Sequence, residues 1–249
     1  VIVPSLTNGV FGDYLRALHD VFVPAGFQVL VLNSGYPSNR EAVSIVTMLG
    51  QHPEAMIVVG GDQTGEARHM LSQAAIPVVQ TMELPAEPID LAIGLSHRDA
   101  GYAATRHLID LGHTVIVQMV VPLDTRARQR REGYRAALAE AGLERHEVGR
   151  DAPSTFKSGA DLLNEAMERW PDVTGIFAGN DNLAQGAVFA CQRRGMNVPG
   201  DMSVVGFNDL EYAAAAYPAL TTVATPRYEI GRRAAEIVLE IIRGSGARP

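Results

Sequence analysis

The sequence predicts an α/β fold of two lobes, each a parallel sheet flanked by helices, and three observations predict it. Short apolar runs alternate with amphipathic stretches of helical length along all 249 residues. Most of the apolar runs lack period-2 alternation, the pattern of strands covered on both faces. Several helical stretches stop at a glycine placed to take the left-handed turn that ends a helix. Strand–helix alternation implies parallel sheets wrapped by helices. About ten strands are too many for one mononucleotide-binding unit, so two lobes are expected.

In chain order, the apolar runs are Val1–Leu6, Val29–Leu32, Met56–Val59, Pro77–Met82, Leu91–Leu95, Val115–Val121, Gly175–Gly179 and Ser203–Phe207. Each is of strand length and bounded by turn residues. Between them, Gly12–Ala25, Arg40–Gln51, Ala100–Leu111, Arg126–Ala141 and Leu183–Arg194 are long enough and periodic enough to be helices. Gly26, Gly112, Gly142 and Gly195 follow the ends of four of them. No low-complexity linker separates the lobes, so short ordered crossovers should join them. A ligand of such a pair is expected in a cleft between them, at the strand C-terminal ends.

Composition removes several function classes. Apolar residues make up 47% and charged residues 20%, which argues against disorder and fibrous structure. The net charge is 21 − 28 = −7, the wrong sign for gripping duplex nucleic acid. The lone Cys191 can make neither an internal disulfide nor a multi-cysteine metal site. No apolar run approaches the ~18 residues of a membrane span, and no charged segment precedes an apolar stretch as in a signal peptide. A cytoplasmic location is therefore expected. The chain opens at Val1-Ile2-Val3, inside what reads as a buried strand, so further residues are expected upstream.

Enzyme signatures are missing. The first strand is not followed by G-x-G-x-x-G, and no Walker loop, G-x-S-x-G elbow or H-E-x-x-H is present. The seven histidines show no metal-ligand spacing. With no nucleophile–base pair either, neither catalysis, metal nor cofactor is expected. Gly60-Gly61-Asp62 reads as a turn rather than a phosphate cradle, and His113 as a structural cap rather than a ligand.

Polar groups instead recur at successive strand ends: Ser5 to Asn8, Glu83, Ser96-His97, Asp124 with Arg126 and Arg130, Asn180-Asp181, and Asn208-Asp209. Any one could be a helix cap or turn residue, and Asp181 and Asp209 fit that description best. As a series they suit a hydroxyl-rich small molecule. Within Arg126-Ala127-Arg128-Gln129-Arg130-Arg131, helical spacing puts Arg126 and Arg130 on one face and turns Arg128 and Arg131 elsewhere. Two guanidiniums one turn apart repel, which makes sense if an anion such as a carboxylate bridges them. A solvated helix face is the other reading of the same residues.

Together the motifs resemble the effector-binding core of LacI/GalR-type transcriptional repressors over essentially the whole chain. The resemblance rests on Val1-Pro4-Ser5-Leu6-Thr7-Asn8-x-x-Phe11, His107-Leu108-Ile109-x-x-Gly112-His113 and Arg130-x-x-Gly133-Tyr134-x-x-Ala137-Leu138. It is strongest from Asn180-Asp181-x-x-Ala184-x-Gly186-Ala187 through Gly195-x-x-Val198-Pro199-x-Asp201-x-Ser203 to Phe207, and it closes on Pro218-x-Leu220-Thr221-Thr222-Val223. It implies a type I periplasmic-binding-protein fold with three crossovers, one lobe of residues 1–95 plus 225–249 and the other of 96–224. It implies a homodimer that meets operator DNA only through a helix-turn-helix headpiece upstream of Val1. The effector contacts it implies are Asn8, Phe11, Glu83, Arg126, Arg130, Asn180 and Asn208, with Phe11 an apolar plate against a sugar face. A periplasmic sugar receptor of an import system shares this fold and is the alternative reading.

Two departures from the family pattern bear on the ligand. Asn208 stands where many members carry Asp, and Ser96-His97 where many carry Asp-Asn. Both remove a carboxylate while Arg126 adds a cation, which favours an acidic effector, a sugar acid such as gluconate or a phosphorylated relative. The opening loop, Leu123-Asp124-x-Arg126 and the strand Asp90-Leu91-Ala92-Ile93-Gly94 are most similar to gluconate-utilisation repressors. Glu83 runs against simple charge matching. It could serve ligand hydroxyls or pair with an arginine.

Overall fold

A computed structural model describes residues 1–36, 38–121, 124–151 and 153–244; Leu123 and the tail 245–249 lie outside the described residues. Ten strands and nine helices are found among those described. The chain divides into two compact units, Val1–Ser96 with the stretch from Pro226 onward, and His97–Thr225.

The first lobe contains β1 (Ile2–Val3), α1 (Val10–Phe22), β2 (Leu32–Asn33), α2 (Ser38–Leu49), β3 (Met56–Val59), α3 (Gly65–Gln73), β4 (Val78–Thr81), β5 (Leu91–Ile93) and, returning at the chain's end, α9 (Arg227–Ile242). Its strands are parallel in the order β2-β1-β3-β4-β5. Val3, Ile57, Val59 and Val79 pack under α1 and α9, while Ile2, Met56, Val58 and Val78 pack under α2 and α3. Alternate residues of one apolar run thus fill two cores, which is why the runs show no polar alternation.

The second lobe contains α4 (His97–Asp110), β6 (Ile116–Val120), α5 (Thr125–Ala141), β7 (His146–Gly149), α6 (Phe156–Arg169), β8 (Gly175–Ala178), α7 (Asp181–Arg193), β9 (Ser203–Asn208), α8 (Glu211–Ala215) and β10 (Thr221–Ala224). Its five parallel strands run β10-β9-β8-β6-β7. Both sheets therefore reverse direction beside their first strand, at β1/β3 and at β6/β8. The loops that leave such a point diverge and open a crevice at the strand C-terminal ends.

Every expected strand and helix is present, with ends shifted by a few residues; the first strand shrinks to two residues. The four glycines expected to end helices all have positive φ, from 67° at Gly142 to 93° at Gly112. Six helices or strands were not singled out: α3, α6, α8, α9, β7 and β10. Strand β7 reads His-Glu-Val-Gly, too polar to stand out; its backbone is held by the Tyr134 hydroxyl, which accepts from His146 N at 3.0 Å.

Candidate functional site

The most developed group of polar side chains is built on the strand ends of the second lobe. Helices α4 and α5 cross at glycines. A Cβ on Gly133 would lie 2.5 Å from Tyr102 N and closer still to the Arg98 carbonyl oxygen, and one on Gly101 would lie 2.8 Å from the Arg130 Cα. Only a bare backbone allows this approach, and it brings the start of α4 against the second turn of α5. His97 and Arg130 meet there: Arg130 donates from a terminal guanidinium nitrogen to His97 Nδ1 at 3.0 Å. Both lie on Phe207, the buried ring near the end of β9. The Arg130 Cζ is 4.6 Å from the ring centre, and the His97 ring 5.6 Å from it at a 31° tilt. His97 is only 4% exposed.

One turn earlier on α5, Asp124 caps the helix by accepting from Ala127 N at 2.9 Å. The same carboxylate takes the Arg126 guanidinium, with Nε at 3.0 Å from Oδ2 and a second, shorter contact from the terminal nitrogen. Burial alone would raise the Asp124 carboxyl, but Arg126 foremost, then Arg130 and the Ala127 N–H, hold it down at about 2. Arg126 is 7% exposed. The anion expected to bridge both arginines is thus, at Arg126, the chain's own Asp124. Arg128 turns back to Thr125 and Arg131 joins Arg135 on Glu147, so the other two cations do point elsewhere.

Asn180 is the helix cap of α7: its Oδ1 accepts from Leu183 N at 3.1 Å and its Nδ2 donates to the Ser154 hydroxyl at 2.7 Å. That corrects the expectation that Asp181 would cap this helix. Asp181 is wholly buried one residue further on, where it accepts from Leu210 N at 2.8 Å and from the Thr222 hydroxyl at 2.5 Å. Burial raises its carboxyl despite these bonds. Asp209 is not the cap of α8 either: the residue before Glu211 is Leu210, and no side chain caps that helix. Instead Asn208 and Asp209 have φ of 115° and 56°, two successive left-handed residues where β9 ends. Non-glycine residues rarely hold such angles unless their surroundings impose them. Here Asp181 fixes Leu210, and Thr225 donates to the Asn208 carbonyl at 3.2 Å.

In the first lobe, Asn8 is a turn residue. Its Oδ1 accepts from Val10 N at 3.2 Å and its Nδ2 donates to the Tyr36 hydroxyl at 3.2 Å. Glu83 is 2% exposed, and its Oε2 accepts from Gly61 N at 3.0 Å, so the Gly60-Gly61 turn is braced by a carboxylate and cradles no phosphate. Phe11 is a correction. Its ring is 2% exposed and packed with Val3, Tyr14 and Leu18, so it is a core side chain and not an exposed plate. His113 is structural, its Nδ1 2.8 Å from the Thr174 hydroxyl; burial foremost, then His107, lowers its pKa.

Two contributors had no role assigned from sequence. The first is His97, noticed only as a departure at the entry to the second lobe. Its partner Arg130 is 33 residues away, so no local spacing reveals the pair. The second is Asp124 as the partner of Arg126, for which a cap residue two positions before an arginine was an available signal. Among the described residues no group of three or more His, Cys, Asp or Glu could hold a metal ion, and no helix is long and apolar enough to cross a membrane.

Comparison with known proteins gives a consistent picture. Residues 105–249 match the periplasmic binding protein-like domain. The HTH-type transcriptional regulator GntR of Pseudomonas aeruginosa is 38% identical over 250 residues, covering 100% of this chain and 73% of the relative. The crystal structure of the transcription regulator GntR from Chromobacterium violaceum superposes with a TM-score of 0.94 at 38% identity, covering 99% of this chain and 92% of that one. A LacI-family transcriptional regulator from Silicibacter pomeroyi superposes at 0.95 with 32% identity, covering 100% of this chain and 75% of that one.

Proposed function

The chain belongs to the LacI family of transcription regulators, with their periplasmic-binding-protein-like core, and on that premise we propose that its effector is a sugar acid such as gluconate. The relatives it matches are regulators, not enzymes. The effector contacts of this reading are Asn8 and Glu83 from the first lobe, and Arg126, Arg130, Asn180 and Asn208 from the second.

The observation that carries the acidic ligand is the setting of Arg130. Its guanidinium rests on the Phe207 ring and donates to His97 Nδ1, next to a strand that ends in the neutral amide Asn208. Arg126, by contrast, has its charge compensated by Asp124. A carboxylate ligand would meet two guanidiniums on one helix face, of which Arg126 is bonded directly to Asp124 and Arg130 is held by an imidazole that adds no negative charge. The sugar hydroxyls would fall to the amides and to Glu83, whose carboxylate accepts but does not donate.

In the whole regulator this core would act as a homodimer in the cytoplasm, reaching operator DNA through a helix-turn-helix headpiece outside this sequence. A chain of net charge −7 is not itself a DNA grip. Effector and operator would be coupled through two conformations of the core, with a coupling of ~1–3 kcal/mol.

Calorimetric titration with gluconate, 6-phosphogluconate, glucose and ribose tests the reading. Binding of an acid alone, abolished by Arg130→Ala, is the expected outcome. Binding of a neutral sugar alone would overturn the acidic effector.

A further inference from the structure

We infer that His97 is the positioning residue for Arg130: it holds the guanidinium in place through an uncharged ring nitrogen and thereby gives the site its preference for an anion. The preference rests on the sugar-acid reading above; the positioning does not.

The protonation state follows from the partner. A guanidinium carries five N–H donors and no acceptor. The 3.0 Å contact to Nδ1 is therefore a hydrogen bond only if Nδ1 offers a lone pair. That makes His97 a neutral imidazole with its proton on Nε2. An imidazolium would set two like charges 3.0 Å apart, so the Arg130 field itself opposes the charged ring.

The geometry leaves the pair little freedom. The glycine crossing of α4 and α5 fixes the two backbones, and Phe207 lies against both side chains. Arg130 is thus aimed before any ligand arrives, which lowers the ordering cost of binding. An imidazole suits this task where a carboxylate would not. A carboxylate would hold the guanidinium equally well but cancel its charge, as Asp124 does for Arg126.

Three substitutions separate holding from charge. Asn places its Oδ1 close to where His places Nδ1, Leu removes the acceptor, and Asp keeps an acceptor but adds the charge. With gluconate as the acid probe and glucitol as the neutral one, His97→Asn should stay within about threefold of the parent for gluconate. His97→Leu should lose about tenfold or more. His97→Asp should lose at least as much for gluconate while keeping its glucitol affinity, so the acid-to-neutral ratio falls. A folded His97→Leu that binds gluconate like the parent, or a His97→Asp with an unchanged ratio, overturns the inference.

The tautomer is measured without any ligand. Long-range 1H–15N correlation spectra of the chain at neutral pH should show the His97 proton on Nε2, and Arg130→Met should release that fixed state. A ring protonated at Nδ1 overturns the positioning role whatever the effector is. If the parent binds only a neutral sugar, the sugar-acid reading and the anion preference fall together, and the spectra still decide the positioning.

Discussion

Arg126 donates through Nε to Oδ2 of Asp124 at 3.0 Å, across only two residues of sequence, while the other oxygen of the same carboxylate caps α5. One short side chain therefore caps the start of a helix, compensates a cation and leaves the next arginine on that face, Arg130, in a different electrostatic setting. The two arginines share a helix face without being equivalent.

The Asp124 carboxyl shows this in acid. Its pKa falls from 3.8 in the unfolded chain to about 2 in the fold. The charged form is favoured by folding, so its contribution is complete above about pH 4 and is lost as pH falls through about 2. That contribution is roughly 2 kcal/mol. Urea unfolding of the parent and of Asp124→Asn at neutral pH and near pH 2 checks it. The variant should be less stable at neutral pH, and the gap should close in acid. An undiminished gap near pH 2 would mean that capping, not the ion pair, carries the loss.

How much of this was legible in the sequence divides by range. The sheets were legible because Met56–Val59 or Gly175–Ala178 are uniformly apolar and buried on both faces. The helix ends were legible because Gly26, Gly112, Gly142 and Gly195 need positive φ. Strand β7 was not, since its edge position lets Glu147 face Arg131 and Arg135. At the site, the residues could be named from the motifs but their partners could not. Phe11 looks the same in sequence whether it faces a sugar or a core. The Arg130–His97 bond depends on how two helices cross, and no spacing rule reports that.

That crossing is itself testable. Gly133→Ala drives a methyl into the Arg98 carbonyl and Tyr102 amide of α4. Overpacking at backbone atoms cannot be relieved by a rotamer change, so the cost should be about 3 kcal/mol. The helices would also part where His97 and Arg130 meet. Gluconate affinity should therefore fall in the Gly133→Ala protein that remains folded. Gly142→Ala, strained at φ 67° with open space around its Cβ, should cost about 1 kcal/mol and leave affinity unchanged. Thermal melts and calorimetry on the two variants make the comparison.

Phe11 distinguishes a core residue from a ligand plate. Its burial with Val3, Tyr14 and Leu18 predicts a loss of about 3–5 kcal/mol for Phe11→Ala, from transfer and cavity together. Phe11→Leu keeps most of the volume and should cost about 1 kcal/mol. If the ring is core, Phe11→Leu binds gluconate within about twofold of the parent. A tenfold weaker variant with parent-like stability would return Phe11 to the site.

Asn208 should show the opposite balance between stability and binding. At φ 115° a side chain with a Cβ is held in a region that glycine enters freely. The surroundings impose it: Asp181 fixes Leu210 two residues on, and Thr225 holds the Asn208 carbonyl. Strain of this kind costs of order 1–3 kcal/mol and tends to gather at functional positions. Asn208→Gly removes both the strain and the amide. It should unfold at a higher temperature, by about 1 kcal/mol of added stability, and bind the effector at least about tenfold more weakly. A less stable glycine variant would show that the amide stabilises its own loop. A more stable one with parent affinity would take the Asn208 side chain out of the effector contacts.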